Sequence, residues 1–93
     1  MKIYKNNDGK CNIAGRVIRI YRERMGLSQE TLAAYLQLKG LDINQKAISR
    51  LETGDRVFPD YEIRYFSEVL NAPINVLLQI EEIPPEDNIA EKQ

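Results

Sequence analysis

Near the middle of the chain, Gln45, Lys46, Ser49 and Arg50 lie within the segment NQKAISRLETG. On an α-helix these four positions fall on one side, while Ala47, Ile48 and Leu51 fall on the other. An amide, an ammonium, a hydroxyl and a guanidinium in such a row do hydrogen-bonding chemistry. A glutamine can bond adenine through two atoms at once, and arginine and lysine favour the acceptor edge of guanine. Bond-breaking chemistry lacks its parts: the 93 residues contain no histidine, no nucleophile beside a plausible base, no glycine-rich phosphate loop and no clustered metal ligands. The single cysteine, Cys11, makes neither an internal disulfide nor a metal cluster, and reads as a small apolar residue in a reducing compartment. The residues therefore point to no enzyme, no cofactor and no metal. Four polar side chains also suit an ordinary solvated helix face, so the surrounding elements decide between the two readings.

Asn44 is a good N-cap and Gly54 a natural stop, which predicts a helix of about two and a half turns from near Asn44 to Glu52. Upstream, Ser28 is placed to cap a second helix. Glu30 in its first turn favours the helix dipole, Leu32, Ala33 and Leu36 share its inner face, and Gly40 ends it. Leu27 stands where it can staple onto Leu32. Small Ala33 opposite Ile48 suits two short helices that cross steeply. Before this pair, Ala14, Ile18, Tyr21 and Met25 recur at spacings of four, three and four, so a first helix is expected from an Asn12 N-cap to Gly26. Arg16, Arg19, Glu23 and Arg24 fall mainly off that stripe and read as solvated charges. After the pair, a helix starting near Asp60 buries Ile63, Phe66 and Leu70, with Tyr61 and Tyr65 as core and rim. Asn71-Ala72-Pro73 then precedes a short last helix with Ile74, Leu77 and Leu78. With no alternating strand pattern and no repeat, the expected fold is all-α with five helices.

Three regions are expected: a flexible N-terminal arm over 1–11, a helical domain over 12–80 and an acidic, disordered tail over 81–93. The net charge of −1 argues at first against a polyanionic partner. The distribution reverses this, because the tail holds five acids and one base and leaves the first eighty residues at net +3. Apolar runs are only a few residues long and MKIYK lacks the core of a signal peptide, so a cytoplasmic protein without membrane association is expected.

Three segments, IRIYRERMGLSQETLAAYL, INQKAISRLETGDR and EIRYFSEVLNAPINVLL, resemble in order the Cro/C1-type (XRE-like) helix-turn-helix regulators of bacteria and phages, over roughly residues 13 to 79. Gly26, Gln29, Ala33, Ile48, Glu52 and Gly54 stand at matching positions. The resemblance implies a five-helix lambda-repressor-like DNA-binding domain. By it, Gln29 bonds a phosphate while supporting the first reader, Gln45, and Ser28 acts with it at a helix N-terminus. Asn44, Gln45, Lys46, Ser49 and Arg50 match the base- and backbone-contacting positions. Thr53, Gly54, Asp55 and Arg56 match the phosphate-contacting loop, and Arg22 and Glu52 match an ion pair that ties helix one to helix three. The sequence departs from the family between Ala33 and Ile48, which lie fifteen residues apart, five more than usual. The extra residues, within Gln37 to Asp42, are expected to lengthen the second helix by about a turn and to bring its end to Lys39, facing the DNA backbone or a partner. The loop before Ile63 is one residue longer than usual.

The function that the resemblance implies is a sequence-specific regulator of transcription, a repressor, that binds double-stranded DNA and is nucleoid-associated when bound. It would act as a homodimer on a two-fold operator, since one such helix makes too few contacts for selective binding. Leu77, Leu78 and Ile80 are candidates for the dimer surface. The alternative is an antitoxin-like or adaptor protein whose main partner is another protein, held by the arm or the tail. A further expectation concerns the tail, whose acids, folded back over the basic face, would weaken non-specific binding.

Overall fold

The computed structural model describes residues 5–86; the first four residues of the expected arm and the last seven of the expected tail lie outside them. Five helices follow one another, α1 (Gly15–Arg24), α2 (Gln29–Lys39), α3 (Gln45–Thr53), α4 (Asp60–Leu70) and α5 (Ile74–Leu77), with no strand among the described residues. No helix among them is long and apolar enough to cross a membrane.

The first helix starts later than its sequence pattern predicts. Asn12 Oδ1 accepts from the Gly15 N–H at 2.7 Å, so the side chain serves the helix end while Ile13 and Ala14 remain outside the regular turns. From there Val17, Ile18 and Tyr21 face inward beside Ala14. Val17 was not on the expected stripe. Met25 was, yet it is 45% exposed, because α1 ends at Arg24 and the chain turns outward. Gly15 lies where α1 meets the end of α3, and a Cβ there would collide with the Leu51 carbonyl oxygen. That oxygen belongs to helix backbone and has little room to give. Gly15→Ala is therefore expected to cost about 2 kcal/mol or more by overpacking, read as a lowered urea midpoint with unchanged slope.

Ser28 caps α2 by accepting from the Thr31 N–H at 3.0 Å, and Asn44 caps α3 by accepting from the Ala47 N–H at 2.9 Å. Both helices stop on glycines in the left-handed region, Gly40 at φ +108° and Gly54 at φ +86°, where a side chain would be strained. The end of α2 at Lys39 places the extra length largely in the helix itself. The turn that follows is anchored by buried Leu41 and Ile43 and by Gln37 Nε2, which donates to the Ile43 carbonyl at 2.6 Å. The third helix runs one residue past the expected Glu52, to Thr53.

All five helices feed one core. Leu32, Ala33 and Leu36 of α2 are buried with Ile48 and Leu51 of α3 and with Phe66 and Leu70 of α4, and Phe58 meets Phe66 edge to face at 5.2 Å. Leu27, Ala47 and Ile63 pack at its margin. The last helix contributes Val76 and Leu77, whereas Ile74 is 43% exposed. Beyond it Gln79, at φ +61°, turns the chain back and donates from Nε2 to the Ile13 carbonyl at 2.6 Å. Ile83 then packs on the core, and Arg24 donates to the Pro84 carbonyl at 2.8 Å. Residues 79 to 84 thus run beside α1 from its start to its end.

Candidate nucleic-acid interface

From Gln45 at its start to Glu52 near its end, α3 is joined to its neighbours by a chain of four side chains. Arg22 on α1 pairs with Glu52 on α3 through Nε to Oε2 at 2.6 Å and Nη2 to Oε1 at 3.0 Å, and its Nη1 donates to the Leu27 carbonyl at 2.8 Å. Glu52 Oε1 also accepts from Gln29 Nε2 at 2.9 Å, and Gln29 Oε1 accepts from Gln45 Nε2 at 2.6 Å. Hydrogen bonding to Glu52, opposed in part by burial and helped by the carboxylate charge, raises the Arg22 pKa above its ordinary value, so the guanidinium stays charged at any working pH. Each group in the chain has a direction imposed by the next. Gln45 gives only one amide hydrogen to Gln29, which leaves a second N–H and the carbonyl oxygen free, the two groups that bidentate bonding to adenine needs.

Arg22, Ser28, Gln29, Glu30 and Gln45 line one shallow, open cleft. The Ser28 hydroxyl is engaged at the Thr31 N–H, so the N–H groups of Gln29 and Glu30, which have no partner inside the helix, point out of the helix end. The helix N-terminus favours an anion such as a phosphate, while the Arg22 charge beside it is already balanced by Glu52.

On the outer side of α3, Lys46, Arg50 and Thr53 are exposed and Ser49 is half-buried. Arg50 leans toward the helix end, with Nη2 3.3 Å from the Asp55 carbonyl, and the Thr53 hydroxyl lies 2.9 Å from Asp55 Oδ2. The structure thus gathers two groups, Ser28, Gln29 and Gln45 at the start of α3, linked along the helix to Arg22 and Glu52, and Arg50, Thr53 and Asp55 at its end, with Lys46 and Ser49 between them. Asn44 is engaged as the cap.

Arg56 stands apart from both. Its Nη1 and Nη2 meet the two carboxylate oxygens of Glu62 at 2.9 Å each, and Nη1 also donates to the Val57 carbonyl at 3.2 Å. Glu62, at 3% exposure, is the one buried charged residue among the described residues. The hydrogen bonds to Glu62 outweigh burial and raise the Arg56 pKa. Two edges of the guanidinium are therefore committed to tying the loop after α3 to α4. Sequence reasoning did not find this pair: a glutamate in the first turn of a helix reads equally well as a partner of the helix dipole. It also missed the two donor bonds of Asn12, whose Nδ2 reaches the Leu51 carbonyl at 3.1 Å and the Arg56 carbonyl at 2.7 Å. Asn12 read only as an N-cap.

Residues 13–78 match a family model described as a helix-turn-helix domain, from just before α1 to just after α5. The chain belongs to the helix-turn-helix domain family, whose fold and presented helix are those of a DNA-binding domain. No curated protein and no solved structure matches it.

Proposed function

We propose that the protein is a sequence-specific regulator of the Cro/C1 type that lays α3 in the major groove of double-stranded DNA and represses by excluding polymerase. The observation that carries this reading is the hydrogen bond between Gln29 and Gln45, made inside the Arg22–Glu52–Gln29–Gln45 chain. It holds the first residue of α3 beside a helix end suited to a phosphate, so base reading and backbone binding share one anchor. Gln45, Lys46, Ser49 and Arg50 are assigned to base edges and the nearby backbone. Ser28, Gln29, Asn44 and Thr53 are assigned to phosphates. Arg56 is kept at most as an auxiliary contact through the edge that Glu62 leaves open.

In this reading residues 12–80 are the DNA-binding unit, in the cytoplasm with its target, and two copies act together. Half-exposed Ile74 and Ile80, at 68% exposure, offer apolar surface to a second copy, whereas Leu77 is wholly buried in the core. The adaptor reading draws on a different surface, Tyr35 and Leu38 on the outer face of α2, of which Leu38 is 84% exposed. Leu38→Asp would abolish capture of such a partner and leave DNA binding intact.

The test is a titration of labelled duplex at increasing salt. With several phosphates neutralised per protomer, log affinity is expected to fall against log salt with a slope of about −4 or steeper. Gln29→Ala should weaken binding to any duplex by about tenfold, through one lost charge-assisted contact. Absence of duplex binding at low salt would refute the reading.

A further inference from the structure

The end of α3 opposite Gln45 is held as firmly as the first, and by residues near the N-terminus. The Asn6–Lys10 turn is closed by Asn6 N–H to the Lys10 carbonyl at 2.7 Å, Gly9 N–H to the Asn6 carbonyl at 2.9 Å and Lys10 N–H to Asp8 Oδ1 at 2.9 Å. From this turn Lys10 lies across Gly54, close enough that a Cβ at Gly54 would strike its methylenes, and its Nζ donates to the Thr53 carbonyl at 3.0 Å. The Cys11 N–H donates to the Gly54 carbonyl at 2.8 Å. Asn12 completes the set with all three of its side-chain bonds: Oδ1 accepts from Gly15, and Nδ2 donates to the Leu51 and Arg56 carbonyls.

These bonds reach the helix at its last carbonyls, which run short of intrahelical partners; the Leu51 carbonyl accepts from the Gly54 N–H at 3.1 Å as well as from Asn12. A nine-residue helix is about 13 Å long, and a shift of about 1 Å is enough to spoil a bidentate base contact. The side chains of Gln45 and Glu52 tie α3 to α1 and α2, whereas Asn12 and Lys10 fix the backbone itself through the Leu51 and Thr53 carbonyls, so the tilt of the helix depends on both sets of bonds. Only an amide side chain does all of this at once. Aspartate would keep the acceptor and set a carboxylate against two carbonyl oxygens; serine would keep an acceptor but replace the two N–H donors with a single O–H on a shorter side chain.

We propose that Asn12 is a positioning residue for base recognition, setting the angle at which α3 is presented, with Lys10 and Cys11 as the supporting part of the same latch. The inference rests on the DNA-binding reading above. It assigns a selectivity role to a residue far from the four proposed readers in sequence and touching no base.

The test compares wild type, Asn12→Ser and Lys10→Met by their affinities for a duplex enriched from a random pool and for an unselected duplex. The ratio of the two affinities is the readout, because loss of folded protein lowers both equally and leaves the ratio unchanged. Asn12→Ser is expected to shrink the ratio about tenfold, with the salt slope on unselected duplex unchanged, as misplacement of base contacts requires. Lys10→Met keeps the methylenes over Gly54, loses only the bond to Thr53, and is expected to shrink the ratio about threefold, so the proposal stays testable if Asn12→Ser does not fold. A wild-type ratio in either variant that can be assayed, whatever its melting temperature, would overturn the proposal. A wild-type protein that binds both duplexes equally would overturn the base-reading assignment instead, and a protein that binds neither would overturn the DNA-binding reading itself.

Discussion

Glu52→Ala is expected to lower the stability of the domain by about 3 kcal/mol, the largest loss foreseen for a single polar substitution, because it leaves a mostly buried guanidinium without its counter-ion. Glu52 has only 4% of its side chain exposed, and Arg22 12%. The carboxylate also accepts from Gln29, so its removal frees Gln29 from its orientation and Gln45 with it. Two effects should therefore appear together: an earlier urea transition, and weaker selectivity in whatever fraction remains folded. Glu52→Gln retains an acceptor for Arg22 or Gln29 and should cost less than half as much. A loss under about 1 kcal/mol in Glu52→Ala would show that the pair is no stronger than an exposed one.

The second large effect concerns binding. Gln45→Ala and Lys46→Ala should each reduce affinity for the preferred duplex by about 1–3 kcal/mol, the range for a lost base contact. The two should differ on unselected DNA. Gln45 carries no charge, so its loss should leave the salt slope unchanged, whereas loss of Lys46 should reduce the slope by about one unit if the ammonium also neutralises a phosphate. Fluorescence anisotropy at several salt concentrations separates the two. Unchanged selectivity in both variants would remove α3 from the groove.

The features that could be read in advance are those whose causes are local. Ser28 and Asn44 announce helix starts because a short polar side chain reaches its own backbone three residues on, and Gly40 and Gly54 announce stops because few other residues adopt their backbone angles. The added length of α2 followed from counting residues between Ala33 and Ile48. Met25 misled because periodicity shows which side a residue would face in a continuing helix and says little about where the helix stops.

What could not be read depends on where separate parts of the chain meet. Asn12 and Leu51 are 39 residues apart, and Asn12 and Arg56 are 44 apart; no local pattern shows that an asparagine has carbonyls to find at that distance. Arg56 shows the same difficulty in a short loop. The resemblance alone assigns it to phosphate, and only the path from Gly54 to Asp60 brings it onto Glu62. Spacing does not link Arg22 to Glu52 either; the resemblance named them together, and the contact in the structure then gives the physical reason, a guanidinium with three acceptors around it.

Selection of bound duplexes from a random pool, using the full chain, tests the central claim most directly. Presentation of α3 by two related copies predicts enrichment of a two-fold motif whose half-sites lie about one helical turn apart, about 10 base pairs centre to centre, with its preferred bases altered by Gln45→Ala. Recovery of no enriched sequence, or of a motif indifferent to every substitution on α3, would contradict it.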